Sequence, residues 1–598
     1  MADLVRYLRD TGGIAQQDGT WVLLRTLSDV PRDLPESVRG MIARKIEQID
    51  DQDRRLLLAA SVQGHEFDSA IVAEAIAMDP AEVEERLESL ERVQAFVRRG
   101  EEFAFADSTL TLRYRFVHVL YQNVLYASLQ PTRRAALSGS IVTAVAAHYG
   151  NDAQDIAGKL AVLYETARDF ANSAKFFYLA AQRAATLFAF REALALAERG
   201  LKGLRGLPDG PPRQQLELGL QLMRGSAFRA VKGWAAPEVE SAFARARELC
   251  QQLQDPPQLM PVLWNLSFFH MIRGDLGTVR SQVNTYLAQA EASGHDAYIM
   301  AMHHVAGVTA EFMGDFVESN LLLERARELH DPSQHRAYTE MFGMDPGMVA
   351  RAMSARPLWV LGRPDAALAR SRETLALSDS QRQPVTRVFS LIVQQSVHLF
   401  RGETAEAIRL GDEIIAIGTE YEFPQEVEWG RAFQGSAIAL AGGADDGVVQ
   451  LQRALSALQD LKSGLVRTLF LSHLADALHR AGRVDEGLAA VVEGFAHSER
   501  TQERGFSAEL HRLRGELLRR GGNRGAAQDS LRIALEYARR QYARSLALRA
   551  AISLARLEQG TPGGAVAAAE LASILDSFTE GHETMDLMAA RTLLSEMG

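Results

Sequence analysis

Gly274, Gly314, Gly362, Gly402, Gly442, Gly482 and Gly522 fall on a beat: successive positions differ by 40, 48, 40, 40, 40 and 40. Gly233 lies 41 residues before the first and Gly560 38 after the last, which extends the beat in both directions. Around each glycine the apolar residues recur with a helical period, as in Val466 to Ala481 and again in Val484 to His497. Each unit therefore reads as helix, glycine turn, helix. A period of this length marks a repeat array, in which one unit cannot bury its own apolar face and must stack on the next.

Two columns of small residues fix the register. Seven residues before the glycines stand Ser267, Gly307, Ala355, Gln395, Gly435, Ala475 and Gly515, with only Gln395 out of character. Five residues after them stand Val279, Ser319, Ala367, Ala407, Gly447, Gly487 and Ala527, with only Val279 bulky. Antiparallel helices approach to about 8 to 10 Å only where the crossing point carries little side chain. The turn glycine ends the first helix in a left-handed conformation that other residues adopt at a cost. This resembles the tetratricopeptide pattern, most closely at Gly274-Asp275, Gly314-Asp315 and Gly482-Arg483. The repeat is longer than the tetratricopeptide norm, so the helices or their linkers must be extended. The expected fold is mainly all-α, a tetratricopeptide-type α-α superhelical solenoid over residues 131–598. Asp152 to Leu204 reads as further pairs, for roughly ten or eleven units in all.

The segment before Pro131 is a different object. Met1 to Thr11 reads as a helix and Ile14 to Leu24 as a hairpin turned at Asp18-Gly19. Helices are expected at Pro35 to Ile49, Asp51 to Gln63, Asp68 to Ala77 and Pro80 to Val93. A hairpin over Ala95 to Phe105, turning near Gly100, and a helix from Phe116 to Leu129 complete the segment. Helices closed by a small hairpin are winged-helix-like, here over 31–130. The fourth helix would be the one to enter a major groove. It carries Glu82, Glu84, Glu85, Glu88 and Glu91 against Arg86 and Arg92, and the whole chain has a formal charge of −11. It would meet phosphates with net negative charge, so no nucleic-acid partner is expected.

One cysteine, Cys250, excludes an intramolecular disulfide or a cysteine-cluster zinc site, and its apolar helical surroundings predict a buried thiol. Met1 to Thr11 offers no apolar core for a signal peptide, and no uninterrupted apolar run reaches membrane-spanning length. A cytoplasmic, bacterial-type protein with no membrane partner is expected. Nothing matches a phosphate loop, a dinucleotide fingerprint, a zinc-protease helix or a nucleophile elbow, and the expected chain is not an enzyme. His303-His304 are helix neighbours that point to different faces, which argues against a shared metal. The one long interval, between Gly314 and Gly362, holds His330, Asp331, Pro332, His335, Arg336 and, further on, Asp345-Pro346-Gly347. About eight residues of extra loop are expected there, forming a ligand or partner loop through His330, His335, Arg336 and Asp345. Alternatives are a loop that merely caps helices, and a metal held by His330, His335 and Asp345; no metal is expected.

Leu34-Pro35-Glu36-Ser37-Val38-Arg39 and Arg113-Tyr114-Arg115-Phe116-Val117-His118 resemble the region that follows the nucleotide-binding domain in bacterial predicted ATPases of the STAND class. Lys232-Gly233-Trp234, Asp331-Pro332-Ser333, Asp345-Pro346-Gly347 and Phe578-Thr579-Glu580-Gly581 are similar to that family's repeat region. The resemblance implies a remnant of the ATPase lid over 1–30, with a nucleotide-binding domain upstream. It implies no cofactor in this chain, ATP or ADP being expected only with that domain. His118, with Arg115 near it, resembles the nucleotide-sensing position of the winged helix; a histidine bonded within its own domain is the plainer reading. The expected function is a non-catalytic regulatory and scaffold segment whose concave solenoid face binds a protein, a peptide or a small-molecule inducer. Alternatives are the sensor half of an adenylate/guanylate cyclase-linked ATPase with its catalytic part on another chain, and a transcriptional regulator.

Overall fold

The computed structural model describes residues 14–17, 20–23, 36–105, 107–150, 155–254 and 256–597. The chain divides into two compact units, Met1–Leu187 with Ala195–Leu220, and Phe188–Leu194 with Gln221–Gly598. The helix expected at Met1 to Thr11 lies outside the described residues.

In the first unit, β1 (Ile14–Gln17) pairs antiparallel with β2 (Thr20–Leu23), and the expected turn residues Asp18 and Gly19 lie outside the described residues. The helices Glu36–Glu47, Asp51–Gln63, Ser69–Ile76 and Pro80–Arg92 stand within a few residues of where the sequence puts them. Local chemistry starts them: Asp50 accepts from the Asp53 N–H at 2.8 Å, and Asp79 accepts from Ala81 and Glu82 ahead of Pro80. β3 (Glu66–Asp68), β4 (Val97–Ala104) and β5 (Leu110–Phe116) form an antiparallel sheet in the order β3-β5-β4.

The expected hairpin over Ala95 to Phe105 is corrected here. Gly100 does not turn the chain; it sits inside β4, where the register shifts between Arg99 and Glu102. A Cβ on Gly100 would lie 3.0 Å from the Arg113 carbonyl oxygen, so glycine suits this bulge. The reversal comes later, closed by Phe105 N–H to Thr109 O at 3.0 Å. The helix expected from Phe116 starts at Val119; Phe116 itself ends β5, and Val117 and His118 link the two. The helices Pro131–Tyr149, Ala157–Thr166 and Phe170–Thr186 contribute Ile141, Leu160 and Phe177 to the same core as Leu56, Val83 and Phe116.

The second unit is the tetratricopeptide-type solenoid. Its pairs include Leu259–Arg273 with Leu276–Ser293, Pro424–Leu440 with Ala444–Asp460, and Arg467–Arg480 with Val484–Thr501. The beat glycines Gly274, Gly314, Gly362, Gly402, Gly442, Gly482 and Gly522 all turn between paired helices, with φ from +79° at Gly482 to +111° at Gly442. The N–H after each bonds back to a carbonyl five residues earlier and closes the first helix. Asp275 reaches His270 at 2.8 Å, Arg363 after Gly362 reaches Leu358 at 2.9 Å, and Gly443 after Gly442 reaches Ile438 at 3.0 Å. At the crossings the small columns meet: a Cβ on Gly447 would stand 2.6 Å from the Gly435 carbonyl oxygen. Gln395, the exception, uses its amide Nε2 to donate to the carbonyls of Ala407 and Gly430, each at 3.0 Å.

The long interval between Gly314 and Gly362 does not carry an extra loop. The added residues form a short helix, His335–Phe342, and the first helix of that repeat then runs as Pro346–Met353 and Ala355–Val360. Tyr338 and Phe342 are buried and anchor the insertion in the solenoid core. Cys250 is buried.

Candidate binding site in the solenoid interior

Several first helices of the pairs are buried on nearly all sides. In Pro384–Arg401 every residue from Ser390 to Arg401 is buried, although one flank alone suffices to pack on the partner helix. The other flank is covered because the superhelix closes on itself. The last carbonyls of a helix have no partner within it. Here they accept from chain one superhelical turn later. Ile272 O accepts from Gly464 and Leu465 N–H at 2.7 and 2.9 Å, and Phe312 O accepts from Gly505 N–H at 2.9 Å. Trp359 O accepts from Ser545 Oγ at 2.6 Å, 186 residues further on. Several turn glycines belong to the same seam. A Cβ on Gly402 would lie 2.5 Å from Met585 Cβ, one on Gly362 3.0 Å from Arg544 Cβ, and one on Gly274 3.1 Å from Thr501 Cγ2. Gly442 and Gly522 stand outside it, with open space where a Cβ would go, so only their φ calls for glycine.

Two compartments lie inside. One is apolar, lined by Trp234, Phe268, Val308, Phe312, Trp429 and Phe433 with His304 and Arg356, and its volume of about 40 Å³ suits a few waters at most. Burial holds His304 down to about 3, so the ring is neutral at physiological pH. Arg356 pairs with Glu311 at 2.6 Å, both nearly fully buried; burial pushes the Glu311 carboxyl up and Arg356 only partly offsets it.

The other compartment is a polar cavity of about 380 Å³. Its wall alternates carboxylates with arginines. Arg512 grips Glu509 through Nε at 2.9 Å and Nη2 at 2.7 Å. Arg549 donates from Nε to Asp586 at 2.7 Å and from Nη2 to Phe400 O at 3.1 Å, and its guanidinium lies 4.9 Å from the Trp359 ring centre. Arg480 donates to Asp476 at 2.6 Å. Burial alone would raise Asp476 and Glu509. Arg480 and Arg512 hold the first below the usual carboxylate range, and Arg512 holds the second there. His473, bonded to Ser436 Oγ at 2.8 Å, is held by burial at about 4. Leu399, Phe400, Leu440, Ile552 and Met585 supply the apolar part of the wall.

Of the residues singled out in the sequence, His330, His335 and Asp345 do come together, but as an internal brace. Asp345 Oδ1 caps the helix Pro346–Met353 by accepting from Gly347 and Met348 N–H. Its Oδ2 accepts from His330 Nε2 at 3.1 Å and His335 Nδ1 at 2.8 Å. Arg351 Nε can only donate, so His330 Nδ1 accepts from it at 2.8 Å and the ring proton sits on Nε2. Burial would raise the Asp345 carboxyl, yet the two histidine bonds hold it at about 2. Arg336 is exposed and bonds Glu340. Among the described residues no three or more His, Cys, Asp or Glu side chains are placed so that they could hold a metal ion. In the first unit His118 and Arg115 are exposed; His118 Nδ1 caps the helix Val119–Ser128 by accepting from Leu120 N–H at 3.2 Å.

The cavity residues escaped the sequence reading because they are spread over six helices, the charged ones over the last four. The signal was in the register. Thirteen residues before the beat glycines the sequence has Phe389, Trp429, Leu469 and then Glu509; ten before, it has Ile392, Ala432, Ser472 and then Arg512. The inward columns change from apolar to charged toward the last repeats.

No protein-family model matches the chain. An uncharacterized protein of Rhizobium meliloti (strain 1021) is 22% identical over 448 residues, covering 74% of this chain; the chain spans 43% of that relative's length. A Rap protein solved in complex with competence and sporulation factor is similar over 72% of this chain and all of its own, with 10% identity and a TM-score of 0.39. A STAND protein with a tetratricopeptide repeat sensor from Pyrococcus horikoshii is similar over 95% of this chain and 66% of its own, with 10% identity and a TM-score of 0.29. Among the described residues no helix is long and apolar enough to cross a membrane.

Proposed function

We propose that the chain is a non-catalytic sensor segment of a signalling protein, and that its inducer is a small molecule or short peptide taken into the solenoid interior. The observation that carries this is the polar cavity of about 380 Å³ between superhelical turns, open to solvent at the exposed Arg480 and Arg556 and within the range of small-ligand sites. A protein surface would need an open concave groove, and here the seam at Ile272, Phe312 and Trp359 occupies that face. A ligand that binds the closed interior better than an opened one shifts the balance between the two by its differential affinity. On this reading 1–30 derives from an ATPase lid, 31–130 is a winged helix and 131–598 is the repeat sensor, acting with an upstream nucleotide-binding domain. The sheet order β3-β5-β4, with two helices between β3 and β4, supports the winged-helix assignment. The length of the Rhizobium relative supports a larger whole. His118 and Arg115, both exposed, would face the nucleotide.

The test is amide hydrogen exchange on the chain with the fraction below about 3 kDa of an extract from the source cells, set against the protein fraction. Slowed exchange in Arg467–Arg480, Ser507–Arg520 and Arg544–Glu558 with the small-molecule fraction supports the reading. Slowed exchange with the protein fraction alone contradicts it.

A further inference from the structure

We infer that the polar cavity takes a monoanionic carboxylate joined to an apolar group, either a free small acid or the carboxy-terminal end of a short peptide. This rests on the reading that the ligand enters the interior.

The charge count sets the sign. Arg480, Arg512, Arg549 and Arg556 line the cavity against Asp476, Glu509 and Asp586, which leaves one positive charge in excess. Arg556 is exposed and makes no ion pair among the described residues. A monoanion balances the site. A dianion would set its second charge against Asp476, Glu509 or Asp586, and a cation would meet the surplus arginine.

Hydrogen bonding points to a carboxylate. The bonds to Glu509, Asp586 and Phe400 O use Nε and Nη2 of Arg512 and Arg549. Nη1 of both guanidiniums has no hydrogen bond among the described residues; for Arg549 it stands 3.8 Å from Glu509. Guanidinium N–H groups left facing a cavity match the planar oxygen pair of a carboxylate. Phe400, Leu440, Ile552 and Met585 stand beside them and would cover an aliphatic group of the same ligand. The cavity's volume suits a molecule of a few residues at most.

Isothermal titration calorimetry on the full chain tests this with N-acetyl-leucine, its uncharged amide, inorganic phosphate, and an alanine tetrapeptide ending in leucine with a free or amidated terminus. Both free acids should bind, with each amide weaker by about tenfold or more. Arg556→Glu should weaken the acids at least about tenfold and Arg556→Gln by less, with both variants melting as the parent does because the side chain is exposed. A tetrapeptide much tighter than N-acetyl-leucine names a peptide end; equal affinities name a free acid; both support the inference. Amides as tight as acids, phosphate tighter than either, indifference to Arg556→Glu, or no binding by any probe at about 10 mM would each overturn it. If the probes fail while the small-molecule fraction still slows exchange in the interior, the sensor reading stands and this inference alone falls.

Discussion

Glu580 and Asp365 stand far apart in the chain, and the hydrogen bonds between their segments run in both directions. Glu580 Oε1 accepts from the Asp365 N–H at 2.9 Å, and Asp365 Oδ2 accepts from the N–H of Gly581 at 2.8 Å. Glu580 also accepts from Ala366 N–H at 2.9 Å, so it caps the helix Pro364–Gln381 from the far end of the unit. A segment at the end of the array thus supplies what the start of another helix lacks.

Glu580→Ala should therefore lower stability by about 1 to 2 kcal/mol, the usual size of a lost cap. Glu583→Ala, at an exposed neighbouring site, should stay within about 0.5 kcal/mol. Urea denaturation of the two variants side by side checks this, and equal midpoints would remove the cap from the account.

Two glycines should fail for opposite reasons. Gly522 has φ +82° and open space where a Cβ would go, whereas Gly505 would put a Cβ 2.8 Å from the Glu311 carbonyl oxygen. Gly522→Ala should cost about 1 kcal/mol and Gly522→Asn less, because asparagine tolerates the left-handed region. At Gly505 the order should reverse, with asparagine worse than alanine, because backbone from the earlier turn leaves no room. Thermal melts of the four variants give the comparison.

Asp345→Asn keeps an oxygen for the helix cap but turns an acceptor for two histidines into a donor. A loss of about 2 to 3 kcal/mol is expected, with the damage centred on the short helix His335–Phe342. Hydrogen exchange should show that helix opening first, and uniform exchange across the repeat would contradict the brace.

Acid should weaken the solenoid in two stages. Burial holds His304 at about 3 and His473 and His511 at about 4, below the value near 6.5 of an unfolded chain. Their contribution is complete above pH 6.5 and is lost as pH falls toward 4, because the unfolded chain takes up protons that the folded one refuses. Each contributes at most about 1.4 kcal/mol per pH unit in that window. Asp345, at about 2 against an ordinary 3.8, adds its loss below pH 4. Melting temperature followed from pH 8 to pH 3 should fall across both windows, and His473→Phe should flatten the first.

The helix-turn-helix beat was legible because its determinants are local. A left-handed turn needs glycine within a few residues of the helix it ends, and a crossing needs small residues at fixed offsets. The seam was not legible in that way. Gly464 and Ile272 meet only after the superhelix has gone once round, and no local pattern encodes that distance. The strand Leu110–Phe116 was not legible, because its buried residues Thr111, Tyr114 and Phe116 keep no strict alternation and Gly100 drew the turn to the wrong place. The His330, His335 and Asp345 cluster was found as a group; its role depended on burial, which the residues alone do not state. In the cavity, the arginines carry no local signal and show as a group only once the repeats are laid in register.

Amide exchange at Gly464, Leu465 and Gly505 tests most directly whether the superhelix closes on itself. All three lie in connections between helices, so an open solenoid would exchange them at the rate of exposed loops. Bonded to Ile272 O and Phe312 O across the seam, they should instead exchange as slowly as the interior of Pro384–Arg401. Loop-like exchange at these three amides would contradict the closed interior and the ligand site built on it.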